Sequence, residues 1–363
     1  MSYKVKVLSI DGGGIRGIIP AIVLNEIEKI TQKPIYQLFD LIAGTSTGGI
    51  LALGLTSSDP DNPGQPFTSE KLIDLYKKQG EVIFKRRQRT SKPILKFLLK
   101  QFGLPVTEPQ DLFSSKYTSQ LKRQTLESYF SKTTYIRDAL TEVVITSYDT
   151  VLRRPIFFTS NVKKEKKAEN YYKICKGCTV FDAAMATSAA PTFFKPYQLS
   201  VPNDKKTYIL IDGGIFANNP TTLAIIEAMV SYHIKTGERL KLDEILVVSL
   251  GTGLQIREFL YKDISEWGIL QWTQPFINMA LDGQSEVVAC QLEQLLSISN
   301  LQPKQYYRFQ PSMSERIDYV PQQPKEDMDD STQENITALE GLANKLIDII
   351  KDDLKELSIQ LLS

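Results

Sequence analysis

Apolar positions along the first fifty residues switch between two spacings. Val5 to Ile10 is a strand-like run. Ala21, Leu24, Ile27 and Ile30 then recur at helical spacing, and Phe39 to Leu53 is apolar again, strand-like at first and helical after. The first strand ends at Asp11-Gly12-Gly13-Gly14-Ile15-Arg16-Gly17, and a helix is expected from about Ile18. Pro20 suits that helix's first turn, where a missing N–H costs nothing, and Pro34 closes it. Strand, helix, strand, helix in this order predicts a parallel sheet covered by helices.

Further along, residues 57–66 read as a Pro/Gly/Asp loop and Ser69 to Gln79 as a helix. The basic cluster Lys85-Arg86-Arg87-Gln88-Arg89 precedes an apolar stretch from Ile94 to Phe102, and residues 111–131 look helical again. The span from about 57 to 131 is therefore expected to be a helical insertion or cap. Its basic-apolar piece fits either a helix that meets anionic lipid or a packed cap helix with a solvated charge run. Strands return at Glu142–Tyr148 and Pro155–Thr159 and, after the basic loop Lys163–Lys167, at Tyr171–Cys175. A small-residue helix covers Phe181–Ala190, and the short strand Tyr208–Ile211 runs into Asp212-Gly213-Gly214. Asn218-Asn219-Pro220 opens a helix to about Lys235, and Ile245–Leu250 is an apolar strand.

Residues 1–260 thus form the sheet-bearing domain. Residues 261–363 are a mainly helical extension packed on the same unit, with an extended piece near Tyr306–Phe309 and an acidic loop at 321–330. A final amphipathic helix at about 332–361 puts Ile336, Leu339, Leu342, Leu346, Ile349 and Ile350 on one side. That side fits packing on the core or on a second subunit.

Composition narrows the picture. The 363 residues are 42% hydrophobic and 23% charged, as in an ordinary globular protein, and Lys+Arg 43 against Asp+Glu 42 leaves +1. Bulk charge therefore argues against a nucleic-acid partner. No apolar run approaches the roughly 18 residues of a spanning helix, and the N-terminus lacks signal-peptide anatomy. Three cysteines make no disulfide framework, so a reducing cytoplasm is the expected compartment.

The candidate chemistry centres on Gly44-Thr45-Ser46-Thr47-Gly48, a G-x-S-x-G sequence between a strand and a helix. Glycines two residues either side of the serine, Gly44 and Gly48, leave room for a tight turn that lifts the hydroxyl above the helix N-terminus. Ser46 is the candidate nucleophile. An activated serine needs a base, and the one histidine, His233, falls deep inside a predicted helix, far from any strand end. A single histidine inside a helix is more often a surface or packing residue, which speaks against a Ser-His-Asp triad. Asp212, after an apolar strand and before Gly213-Gly214, can replace the histidine, with a turn aspartate bound to its own backbone as the alternative. Gly12, Gly13 and Gly14 can present successive N–H groups as an oxyanion site, with Arg16 bracing the loop or steadying charge on the bound ester.

The same glycine loop satisfies a dinucleotide fingerprint. Asp11 beside a pyrophosphate, and a second strand that ends in the Ser46 turn rather than a ribose-binding acid, speak against that use. Cys175-Lys176-Gly177-Cys178 is C-x-x-C, but Cys290 and His233 are too scattered to complete a zinc site with it.

Taken in order, D-G-G-G-I-R-G, G-T-S-T-G and D-G-G followed by A-N-N-P resemble the patatin-like phospholipases. The likeness runs from about Lys4 to Gly253 and includes Ala186-Thr187-Ser188-Ala189-Ala190-Pro191 and Leu250-Gly251-Thr252-Gly253. The resemblance implies a three-layer α/β/α fold with a mostly parallel sheet. It also implies a lipid acyl hydrolase with a Ser46–Asp212 dyad, an oxyanion hole at Gly12, Gly13 and Gly14, no cofactor or metal, and membrane phospholipid as substrate. Chains of this look also include antiphage effectors that wait for a cyclic oligonucleotide. That leaves a cyclic-nucleotide activator and a catalytically silent binding protein as the other expectations.

Overall fold

The computed structural model describes residues 3–86, 115–202, 206–254, 257–297, 304–318, 320 and 322–363. One ten-stranded sheet organises them. Its centre is a parallel run in the spatial order Tyr306–Phe309, Ile245–Leu250, Val5–Ile10, Leu41–Gly44 and Glu142–Asp149. On the far side of Glu142–Asp149 the chain doubles back antiparallel as Arg154–Thr159, followed by Tyr172–Ile174 and the short Lys166–Lys167. The extended piece of the C-terminal region is therefore a strand of the main sheet.

Strand residues alternate between two cores, as the two-residue repeat of a strand requires. Leu8, Ile10, Ile42, Ile145 and Val248 face one helical layer, formed by Ile18–Thr31, Thr47–Thr56, Val180–Thr187 and Gln333–Ile349. Val7, Leu41, Ala43, Val144 and Val247 face the other, where Thr221–Thr236 and the end of Ile269–Ser297 pack. Strands covered on both faces are mostly apolar, which is why these segments read as near-continuous hydrophobic runs, with Ser9 and Ser249 buried among them. The result is a mixed α/β fold with a mostly parallel central sheet and helices around it.

Four expectations change. The 57–66 loop holds a small hairpin, Ser58–Asp59 against Asn62–Pro66. Ile30, assigned to the buried face of the first helix, lies in its last turn and is 39% exposed. The final helix is two, Gln333–Ile349 and Lys351–Leu362, because Ile350 departs from helical geometry at φ −94°, ψ 14°. That break leaves Ile349 in solvent and buries Leu354, Leu357 and Leu361 instead. Lys164 of the basic loop is buried and bridges Glu142 (2.6 Å) and Glu227 (3.0 Å). Arg87 to Arg89 and the Ile94–Phe102 stretch lie outside the described residues.

Candidate active site

Ser46 sits in the turn between the strand Leu41–Gly44 and the helix Thr47–Thr56, which is buried along its whole length. Its backbone is at φ 54°, ψ −119°, a region that non-glycine residues enter only under constraint. The constraint is visible. The Ser46 N–H donates to Thr187 Oγ1 at 2.8 Å, and its carbonyl accepts from the Ile50 N–H at 3.0 Å. The flanking glycines are required by close approach. A Cβ on Gly44 would lie 2.2 Å from the Gly48 carbonyl oxygen, and one on Gly48 2.2 Å from that of Ile10. The serine hydroxyl thus stands at the N-terminus of a buried helix, where the dipole favours developing negative charge.

Asp212 reaches the serine by a route the apolar pattern does not reveal. Its strand, Thr207–Asp212, is antiparallel to Glu142–Asp149 and pairs with the outer part of it, Asp212 opposite Ser147. Leu41–Gly44 pairs in parallel with the inner part of the same strand, Gly44 opposite Ile145. Two strands therefore meet tip to tip along one flank of Glu142–Asp149, C-terminus facing C-terminus. Thr146, between the two registers, fills the junction. Its hydroxyl bonds Thr45 Oγ1 at 2.7 Å, and a Cβ on Gly213 would fall 2.1 Å from it.

The Asp212 N–H donates to the Ala189 carbonyl (3.1 Å), and Asp212 Oδ1 accepts from the Gly214 N–H (2.8 Å). The Ser46 hydroxyl stands near enough to the carboxylate to favour its charged form. Asp212 is 5% exposed, and burial pushes its pKa up to about 6, against the Ser46 hydroxyl, the Gly214 hydrogen bond and the charge of Lys122, which pull it down.

The glycine loop divides. The Gly12 N–H donates to the Asn218 carbonyl at 3.0 Å, so Gly12 braces the loop and, contrary to expectation, has no free donor. Gly13 and Gly14 line the cavity beside Ser46, and their N–H groups meet no acceptor among the described residues. Gly14, at φ 59°, leads into the short turn whose Ile15 N–H binds the Met328 carbonyl. Arg16 is buried behind the loop, with Nη1 on the Gly253 carbonyl (3.3 Å) and Nε near that of Gly13 (3.5 Å). It braces the loop and does not line the cavity. Asp11 is paired with Arg308 at 2.6 Å.

Above Ser46, Asp212, Gly13 and Gly14 lies a cavity of about 210 Å³, with walls mostly of apolar side chains such as Ile83, Leu126, Phe194 and Leu281. Lys122 and Asp212 are the charged groups among its described lining residues. The other sequence candidates stay apart. His233 is exposed on the helix Thr221–Thr236, its Nδ1 near the Glu238 carbonyl. Cys175 and Cys178 are buried free thiols that burial holds protonated, Cys175 pushed up to about 11. Among the described residues no three His, Cys, Asp or Glu side chains gather as metal ligands, and no helix is long and apolar enough to cross a membrane.

Thr187, Asn218 and Lys122 are site residues that sequence reasoning passed over. The first two stand inside segments already singled out, Ala186–Pro191 and Asn218-Asn219-Pro220. Lys122 left a fainter signal, a lysine at the i−3 and i−4 positions of Thr125 and Leu126 on a helix's buried face.

A strained serine at a helix N-terminus, with a buried aspartate lining the same apolar cavity, is an arrangement suited to serine hydrolysis of an apolar ester. The family model described as "Patatin-like phospholipase" matches residues 8–225, and the chain belongs to that family. It is similar to "Patatin-like protein 2" of Oryza sativa subsp. indica, 33% identical over 84% of this chain and 76% of that protein. "Patatin-like protein 2" of Arabidopsis thaliana is 34% identical, over 78% and 70%. "Probable inactive patatin-3-Kuras 1" of Solanum tuberosum is 31% identical, over 77% and 71%. Membership places the chain among the lipid hydrolases.

Proposed function

We propose that this protein is a phospholipase A-type lipid acyl hydrolase that works through a Ser46–Asp212 dyad and an acyl-enzyme. The observation that carries the reading is the buried Asp212 carboxylate, which lines the same apolar cavity as Ser46 and is raised to about 6. Asp212 accepts the Ser46 proton as the hydroxyl attacks the ester carbonyl. The Gly13 and Gly14 N–H groups, aided by the dipole of Thr47–Thr56, hold the tetrahedral oxyanion, and the acyl chain lies in the apolar cavity. The protonated Asp212 then gives its proton to the departing alkoxide. A water molecule, deprotonated by the same carboxylate, releases the fatty acid. The substrate is membrane phospholipid, met at the bilayer surface.

The test is hydrolysis of phospholipid vesicles and of p-nitrophenyl esters by wild type, Ser46→Ala and Asp212→Asn. Each is run with and without cyclic dinucleotides. Turnover by wild type, reduced at least about 10³-fold in either variant, is the expected result. Undiminished turnover in Asp212→Asn would remove the dyad. Silence of wild type under every condition would move the chain to the inactive class that one relative's name describes. Turnover only with a cyclic dinucleotide would make the enzyme ligand-gated.

A further inference from the structure

Lys122 is the one charged group among the cavity's described lining residues that the mechanism above leaves unused. It sits on the helix Ser119–Tyr129 and is 2% exposed, yet it makes no contact ion pair among the described residues. Its ammonium donates to the Ser188 carbonyl (2.8 Å) and hydroxyl (3.2 Å) and lies 4.4 Å from the centre of the Phe194 ring. Both acceptors are neutral. A buried cation with neutral acceptors is costly, and an aliphatic side chain of the same length would fill the space. What the lysine adds is charge, and the acid that acts on it is Asp212.

Other charges near this helix are committed elsewhere. Arg123 and Lys132 pair with Glu127, and Lys78 of Ser69–Ile83 pairs with Asp74. Asp182 of Val180–Thr187 caps its own helix and accepts from Tyr197, while the Tyr76 hydroxyl bonds Thr47. The link to Asp212 is also mechanical. Lys122 grips Ser188, and the next carbonyl along, that of Ala189, accepts the Asp212 N–H.

We propose that Lys122 is a positioning residue for Asp212: it braces the turn that anchors the aspartate's backbone, and its charge keeps the carboxylate ionised toward Ser46. This rests on the Ser46–Asp212 reading above. Burial pushes Lys122 down to about 7 and Asp212 up to about 6, and each charge opposes the other's shift. Removing the lysine's charge therefore raises Asp212 further, and a smaller fraction of the enzyme holds an ionised base near neutrality.

The experiment is the pH dependence of kcat/KM for a p-nitrophenyl ester, using the full chain and three variants. Lys122→Gln keeps a donor for Ser188 without charge, Lys122→Arg keeps the charge, and Asp212→Asn is the control for the dyad. The acid half-point is expected to rise by about one pH unit in Lys122→Gln and to return toward the wild-type value in Lys122→Arg. A Lys122→Gln profile that is lower at every pH, with its half-point unmoved, would mean a merely structural lysine and would overturn the proposal.

Should Lys122→Gln not fold, the ¹³C signal of the wild-type Asp212 carboxyl, assigned by its loss in Asp212→Asn, decides instead. Two steps, near pH 6 and near pH 7, support the coupling. A single step overturns it. If Asp212→Asn retains full activity the dyad itself fails. If Asp212→Asn is inactive and the Lys122→Gln half-point is unmoved, this inference alone fails.

Discussion

The two walls of the cavity are built on different terms. One carries Ser46 on a turn packed backbone against backbone, Gly44 on Gly48 and Gly48 on Ile10, with no space for a single added carbon. The other is the helix Ile269–Ser297, which offers Ile277 and Leu281 to the cavity but leaves Phe276 64% exposed and has open space around Gly283. The first wall holds the reacting groups to a fixed geometry at the expense of strain and buried charge. The second is ordinary side-chain packing that can vary without touching the chemistry. Catalysis and substrate preference should therefore respond to different substitutions.

The largest effect is expected on the backbone wall. Gly48→Ala places a carbon 2.2 Å from the Ile10 carbonyl oxygen, which cannot swing away. A loss of about 3 kcal/mol or more in urea unfolding is the outcome to look for. A change below about 1 kcal/mol would mean that the turn can open and that its rigidity is not what holds Ser46.

Asp212→Asn separates activity from stability. Turnover should fall at least about 10³-fold while the protein becomes more stable at neutral pH. The sign follows from the raised pKa. Between the ordinary aspartate value near 4 and about 6 the folded state binds more protons than the unfolded one, so stability declines as pH rises through that window. The deficit, roughly 3 kcal/mol, persists at pH 7. Asparagine keeps an acceptor for the Gly214 N–H and carries no charge to bury. A melting temperature at pH 7 that does not rise would contradict the burial account.

Ser46→Gly, compared with Ser46→Ala, isolates the strain at φ 54°. Both variants lack the nucleophile, and the glycine variant should be more stable by about 1 kcal/mol in chemical denaturation. Equal stabilities would show that the turn is not under tension.

The smallest effect belongs to the side-chain wall. Leu281→Ala should leave kcat on short p-nitrophenyl esters within about threefold of wild type and raise KM mainly for long acyl chains. An equal loss on all chain lengths would place this helix in the chemistry.

The same contrast explains how much could be read from the chain. The Ser46 turn is local: a strand, two glycines and a helix within fifteen residues, each dictated by sterics that the sequence displays. Val5–Ile10 and Leu41–Gly44 were legible for a related reason, since strands covered on both faces are apolar at most positions. The meeting of Ser46 and Asp212 was less so. An apolar run before Asp-Gly-Gly marks a strand end, but no local signal says that Thr207–Asp212 runs antiparallel and abuts Leu41–Gly44. Long-range donors and acceptors were hidden likewise. The Asn218 carbonyl that occupies the Gly12 N–H, and the Met328 carbonyl that receives the Ile15 N–H from an acidic loop more than three hundred residues away, are backbone atoms common to every residue.

The most direct test of the central claim is the rate at which Ser46 is acylated. Rapid mixing of the wild-type protein with a p-nitrophenyl ester, from pH 4.5 to 8, follows the first release of p-nitrophenol. The account predicts a one-proton rise with its midpoint near 6, absent in Asp212→Asn. A rate independent of pH across that range, or the same midpoint surviving in Asp212→Asn, would show that some other group takes the serine's proton.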